Sequence, residues 1–146
     1  MTLTNTSILA PAAALVLWSV CVLFWVVVTR FAAFKKSGVE ISSSEPGGRY
    51  QELEPVLPPS VNWKSHNYTH LMEQPTLFYA TAIILALAGE GSGLNLALAW
   101  AYVVLRVAHS LWQSIVNTIP VRIGLFALST TCLAVLSVNA VVSTVF

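Results

Sequence analysis

The stretch from Ile8 to Thr29 contains no charged side chain and is almost entirely apolar. As a helix it is long enough to cross the hydrocarbon core of a bilayer, which is roughly 30 Å thick. Backbone groups in hydrocarbon must pair within their own segment, so such a stretch has to be helical. The basic residues Arg30, Lys35 and Lys36 follow the stretch, whereas a cleavable signal peptide carries them before a shorter apolar core. We therefore expect a retained first membrane helix.

The rest of the chain has too few charges for the surface of a soluble protein. Charged residues make up 9% of the 146 residues, whereas a soluble domain carries about 25%. The net charge of +1 and the lack of a basic tract argue against a nucleic-acid partner. The length suits one domain. The sequence therefore predicts a single integral membrane domain over residues 1–146.

Four apolar segments are separated by loop signals. The motif "GEGSG" separates the second from the third, and Pro120 suits the first turn of the fourth. Because the second and third connections are short, sequential helices should be antiparallel neighbours. The sequence predicts an all-α, multi-pass bundle of four antiparallel helices. The expected helices cover about 8–34, 64–88, 94–119 and 121–146, with a cytoplasmic loop over about 35–63.

The orientation follows from where the basic residues lie. The second connection carries only the acidic Glu90, and both termini lack basic residues. The positive-inside tendency therefore predicts that the first and third loops are cytoplasmic and that both termini are not. The basic residues in or beside those two loops are Lys35, Lys36, Arg49, Lys64 and Arg122.

Polar residues recur at helical spacing where lipid would be expected. An ionisable side chain exposed to lipid costs about 2.5–3.5 kcal/mol on insertion scales, so it should face the bundle interior or a wet cavity. The set carries excess positive charge, which an anion with carboxylates would balance. The alternative is a structural role, for example a pair between Glu73 and Arg106. The set comprises Asn67, His70 and Glu73 in the second helix, Arg106, His109, Gln113 and Asn117 in the third, and Arg30 and Arg122 at helix ends.

The sequence gives little support for a metal site or for a disulfide. His66, His70 and Glu73 have a spacing that zinc ligands can adopt, but there is no HExxH motif, and we expect no metal. Cys21 and Cys132 lie in apolar runs without a CxxC neighbour. They read as small apolar residues and indicate no disulfide framework.

The polar stretch "RVAHSLWQSIVNTIPVR", residues 106–122, resembles the third-to-fourth helix region of the MAPEG family. These are membrane-associated proteins of eicosanoid and glutathione metabolism, among them microsomal glutathione transferases, leukotriene C synthase and microsomal prostaglandin E synthase. "RVAH" followed by "PxR" is similar to the prostaglandin E synthase pattern. "HLMEQPTLFYA", residues 70–80, resembles the second-helix signature of the family. The resemblance extends over most of the chain.

The resemblance implies a homotrimer of four-helix bundles, with glutathione between subunits near the cytoplasmic side and a lipophilic partner entering from the bilayer. Arginine suits the carboxylates of glutathione, and Glu73 suits its amino group. A cation beside the thiol, whose free pKa is about 8.5, favours the nucleophilic thiolate. The resemblance gives that catalytic role to Arg122. The glutathione-binding residues it implies are Arg30, His70, Glu73, Arg106, His109 and Gln113.

The chain departs from the family pattern at several of these positions. Phenolic donors and part of the arginine clamp are missing, so the pattern does not identify the electrophile. His70 stands where an asparagine is expected, Thr69 where an arginine is expected, Gln113 and Phe126 where tyrosines are expected, and Ile123 where a serine is expected.

Three functions remain open at this point, and whether the protein is an enzyme is open with them. The first is a glutathione-dependent transferase or peroxidase that acts on lipophilic electrophiles. The second is a non-catalytic MAPEG-like module that binds membrane lipid or protein. The third is a small transporter in which Glu73, His70 and His109 relay protons. Against the third, the first helix has no ionisable residue before Arg30.

Overall fold

The computed structural model describes residues 5–38, 47 and 49–146, and this part of the chain is helical and without strands. Its long helices confirm the all-α, four-helix prediction. They are α1 (Leu9–Ser37), α2 (Pro59–Leu87), α3 (Gly93–Ile115) and α4 (Ile119–Val145), and single 3-10 turns cover Thr6–Ile8 and Tyr50–Leu53. Each helix packs on the next in the chain, and α2 contacts all the others.

The sequence led us to expect four apolar helices, and α2 is less apolar than expected. Among the described residues, three helical segments are long and apolar enough to cross a membrane: Thr6–Ser37, Gly93–Ile115 and Ile119–Val145. Helix α2 has the length but not the composition, because its first half carries amide, hydroxyl and imidazole side chains. It also begins at Pro59 rather than near Lys64. A helix of this composition needs protein around much of its surface.

The connection between α3 and α4 is longer than expected, because α3 ends at Ile115 rather than near Ile119. Asn117 adopts φ 60°, which ends the helix. The amides of Val116 and Asn117 both donate to the carbonyl of Trp112, at 2.9 and 2.7 Å. Helix α4 then starts at Ile119 with Pro120 in its first turn, where the missing N–H is harmless.

The core combines apolar packing with interhelical hydrogen bonds. Phe78 of α2 stacks on Tyr102 of α3 with ring centroids 4.4 Å apart, and both side chains are fully buried. Gln74 Nε2 donates to Thr130 Oγ1 at 2.9 Å. Asn139 Nδ2 donates to Asn95 Oδ1 at 2.7 Å. Such bonds fix how helices pack where lipid contributes no hydrophobic driving force.

The N-terminal turn packs on the connection between α2 and α3. Gly91 is buried there, and a Cβ atom at this position would overlap the backbone carbonyl of Asn5. Ile8 is fully buried beside it. The glycine in "GEGSG" thus permits a close backbone contact as well as a turn.

The predicted loop over 35–63 lies partly outside the described residues. Its described end is anchored on the start of α2 through Glu54. The Glu54 carbonyl accepts from Asn62 Nδ2 at 2.9 Å, and its carboxylate pairs with His66 Nε2 at 2.9 Å. The side chain of His66 is therefore already paired with Glu54 at the surface.

Candidate functional site

Arg106 is the largest fully buried side chain among the described residues. Its Nη2 donates to the carbonyl oxygen of His70 at 2.9 Å. Its Nε and Nη1 are buried and have no hydrogen-bond partner in the part of the chain that the structure describes. A buried cation without a counter-charge costs several kcal/mol. Within the described residues, this side chain therefore keeps two unpaired donors and a positive charge without an ion-pair partner.

An imidazole pair lies beside this guanidinium. His70 of α2 stacks on His109 of α3 with ring centroids 4.9 Å apart and an interplanar angle of 27°. Phe126 of α4 contacts both rings, at 5.4 and 6.3 Å. The Cζ atom of Arg106 lies 5.9 Å from the Phe126 ring centroid, in a cation–π arrangement. Three helices thus converge on one point.

The geometry also indicates which tautomer of neutral His70 fits the contact with Arg106. Nη2 of Arg106 lies 3.4 Å from His70 Nδ1. A guanidinium can only donate hydrogen bonds, so a contact here requires Nδ1 of His70 to be the acceptor. The proton of neutral His70 is then on Nε2, which leaves that nitrogen as a donor.

A cavity of about 350 Å³ opens next to the imidazole pair. This volume is in the range that small-molecule ligands occupy. One wall is cationic or imidazole and the other is apolar. His109 is only 3% exposed, and its ring nitrogens form no hydrogen bond to any described residue. The lining residues are His70, His109, Ile119, Arg122, Ile123 and Phe126.

Arg122 reaches this cavity from the first turn of α4. Its Nη1 donates to Asn117 Oδ1 at 2.8 Å. Its Nε is buried without a hydrogen-bond partner among the residues the structure describes. The bond to a neutral amide leaves the positive charge of Arg122 uncompensated within this part of the chain.

Asn67, His70 and Glu73 follow one another at three-residue steps along α2, and they differ in exposure. A step of three residues on a helix with 3.6 residues per turn falls short of a full turn by about 60°. Asn67 is accordingly buried, His70 is half-buried and Glu73 is exposed. Glu73 also forms no ion pair with Arg106 among the described residues. The pairing we considered as a structural alternative is therefore absent from the protomer.

Four of the predicted residues are not among those that line this cavity, namely Arg30, Glu73, Arg106 and Gln113. Gln113 is buried one turn beyond His109 on α3, and its Oε1 has no hydrogen-bond partner within the described chain. Arg30 lines a different cavity, of about 330 Å³, between α1 and α2. Its other lining residues are Val26, Ser65, Tyr68, Thr69 and Met72. Within one protomer, His70, His109 and Arg122 thus line one cavity and Arg30 lines another.

Some residues of the site were missed by the spacing argument. The apolar wall of Ile119, Ile123 and Phe126 lies on α4. In a membrane-spanning helix, the sequence does not distinguish an apolar residue that lines a cavity from one that faces lipid. The contact between Asn117 and Arg122 was also missed. An asparagine just after a helical pattern is a signal for a left-handed cap, and it could have located this contact.

The His/Glu spacing that we weighed as a metal motif does not form a cluster. Within the described ranges, no group of three or more His, Cys, Asp or Glu side chains comes close enough to hold a metal ion. His66 pairs instead with Glu54.

Comparison with known proteins gives one match. A family model described as MAPEG family matches residues 8–142, which include all the candidate site residues. No curated protein and no solved structure matches the chain.

Proposed function

Because the chain belongs to the MAPEG family, we propose that it is a glutathione-dependent membrane transferase or peroxidase that acts on lipophilic electrophiles. The family includes enzymes of both kinds. The observation that carries the proposal is the guanidinium of Arg122 in the lining of a ligand-sized cavity, with the buried guanidinium of Arg106 against the lining residues His70 and Phe126.

The charge of the site suits glutathione. Two guanidinium groups with free donors match the two carboxylates of the tripeptide, and arginine binds a carboxylate through two parallel hydrogen bonds. The cavity lining contains no acidic side chain to compete for them. His109 adds ring nitrogens that are not engaged elsewhere in the described chain.

Arg122 is the proposed catalytic residue. A free thiol has a pKa of about 8.5, and a fixed cation beside it favours the thiolate at neutral pH. The thiolate is the nucleophile that attacks the electrophile. A positive charge that the described chain leaves unpaired at the cavity supports this role.

The other wall of the cavity suits a lipophilic partner. Ile119 and Ile123 are 65% and 62% exposed, and Phe126 lies behind them. Because α4 is apolar enough to span the bilayer, an electrophile dissolved in lipid could reach the thiol without crossing water. The chemistry of these side chains does not select one electrophile.

The exposed side of α2 supports assembly with further subunits, and membership of the MAPEG family makes a homotrimer the assembly that we propose. Its residues repeat at alternating steps of three and four, which is the spacing of a helix–helix seam. A lipid-exposed glutamate would cost about 2.5–3.5 kcal/mol, so other subunits are expected to cover this seam. In such an assembly Glu73 and Arg30 could meet the cavity of a neighbouring subunit. The seam consists of His66, Thr69, Glu73, Thr76, Ala80, Ile83 and Leu87, all exposed in the protomer.

The proposed orientation keeps the first and third loops in the cytoplasm. Lys35 and Lys36 lie in the last turn of α1, and Arg122 lies in the first turn of α4. This distribution follows the positive-inside tendency. It would give the cavity access to cytoplasmic glutathione.

The first test is calorimetric binding of glutathione to the detergent-purified protein. We expect native protein to bind and Arg122→Ala to lose at least about tenfold in affinity, the size of a hydrogen bond to a charged group. Arg49→Ala is the matched control, because it removes an exposed arginine of the first loop. Failure of the folded native protein to bind would reject the proposal.

The second candidate is a non-catalytic membrane module. It is favoured by the apolar residues at Ile123 and Phe126, which leave the cavity wall without a hydroxyl group. It predicts that purified protein binds lipid and turns over neither chlorodinitrobenzene nor a lipid hydroperoxide with glutathione. Turnover that Arg122→Ala abolishes would exclude it.

A further inference from the structure

Asn117 has a left-handed backbone conformation. Its φ of 60° is the one positive value at a residue other than glycine in the described chain. This left-handed conformation is disfavoured for residues with a Cβ, although asparagine tolerates it better than most. A residue held in it often lies at a functional site.

The surrounding connection fixes this conformation from both sides. Towards α3, the amide of Asn117 donates to the Trp112 carbonyl at 2.7 Å. Towards α4, Thr118 Oγ1 accepts from Trp112 Nε1 at 2.9 Å. The connection is therefore tied to one indole residue at its start and at its end.

The side chain of Asn117 uses this fixed position to hold Arg122. Its Oδ1 accepts from Arg122 Nη1 at 2.8 Å. The amide is neutral, so it directs the guanidinium without cancelling its charge. An aspartate could make the same contact but would form an ion pair and remove the positive field at the cavity.

We propose that Asn117 is the positioning residue for Arg122, which it holds at the cavity as an uncompensated cation. The inference rests on the proposed function, in which Arg122 stabilises the thiolate of glutathione. It adds that the strength of this stabilisation depends on a neutral partner behind Arg122. A cation that is already held in place stabilises the thiolate more than one that must be ordered at each turnover.

Two variants separate the backbone from the side chain. Asn117→Gly keeps access to the left-handed conformation and removes the amide. Asn117→Asp keeps the shape and adds a charge. We expect Asn117→Gly to lower kcat by about tenfold, the value of one hydrogen bond to a charged group, with a smaller change in KM. We expect Asn117→Asp to move the ionisation of the bound thiol to higher pH.

The measurement is the ultraviolet absorbance of thiolate in the glutathione complex, titrated against pH, together with the pH–rate profile. Thr118→Val is the matched control, because it breaks the bond to Trp112 in the same connection and leaves the contact with Arg122. It should leave the thiol titration unchanged. Native titration in both Asn117 variants would overturn the inference while leaving the proposed function intact.

A second readout does not depend on glutathione. Nitrogen NMR of the Arg122 guanidinium should show restricted rotation in native protein and faster rotation in Asn117→Gly. If native protein shows no bound thiolate, the proposed function fails, and this comparison alone decides the positioning role. Equal rotation in the two proteins would overturn the inference in either case.

Discussion

Arg106 of α3 donates from Nη2 to the backbone carbonyl of His70 on α2, at 2.9 Å. The bond joins a buried cation to the main chain of a neighbouring helix rather than to a carboxylate. The guanidinium is thus held in place without an ion-pair partner among the described residues. Its remaining nitrogens, Nε and Nη1, have no partner among the described residues.

This arrangement predicts that Arg106 serves ligand binding rather than stability. Arg106→Met replaces a buried, poorly compensated cation by an apolar side chain of similar length. Such replacements are often neutral or stabilising. We expect the melting temperature in detergent to be unchanged or higher, and glutathione affinity to fall by at least about tenfold. A marked fall in the melting temperature would show that the arginine is structural.

The close contact of Gly91 with Asn5 predicts a position-specific cost. In Gly91→Ala the new methyl group overlaps the Asn5 carbonyl, so the N-terminal turn has to move. Overpacking of this kind costs about 1–3 kcal/mol. Thermal unfolding of the purified protein would measure it.

Gly124→Ala is the matched control for that prediction. Gly124 lies inside α4, and a Cβ there meets nothing within 4 Å. Alanine should therefore stabilise the helix by up to about 1 kcal/mol. Equal effects of the two substitutions would contradict the contact between Gly91 and Asn5.

The seam on α2 predicts where subunits can be cross-linked. In a Cys21→Ser, Cys132→Ser background, Thr76→Cys should give disulfide-linked dimers on mild oxidation in the membrane, since the seam would bring copies of this residue together. Thr131→Cys, exposed on α4, is the control and should stay monomeric on a denaturing gel. Cross-linking at Thr131 alone would place the interface on α4 and reject the seam.

The sequence was sufficient to predict the helical class, because uncharged runs such as residues 8–29 can only be helices in lipid. The sequence was less informative about which side of a helix each residue occupies. Asn67, His70 and Glu73 lie at three-residue steps, and the rotation accumulated over two steps leaves Asn67 buried and Glu73 exposed. Spacing keeps residues on one face of a helix only when steps of three and four residues alternate. The buried residues of α3 follow this rule: Arg106, His109 or Ser110, and Gln113.

The sequence also did not show that Arg30 and Arg122 line different cavities, and the reason is a different one. Arg30 and Arg122 lie on different helices, and no spacing rule gives the relation between two helices that are distant in sequence. The structure assigns them to separate cavities of one protomer. The contact of Asn117 with Arg122 depends on a single left-handed residue, which is a local feature of the turn and not of any periodic pattern.

His109 has two ring nitrogens and lies in the lining of the cavity. The side chain is 3% exposed and stacks on His70, and its nitrogens form no hydrogen bond to a described residue. His109→Phe retains a ring for stacking and removes both nitrogens. If those nitrogens bind the ligand, the variant should unfold at a similar temperature while its glutathione affinity or turnover falls by about tenfold. His109→Gln, which restores a donor and an acceptor, should recover part of the loss. Native activity in His109→Phe would show that the imidazole is only a packing residue, and would leave Arg106 and Arg122 as the polar groups that bind the anion.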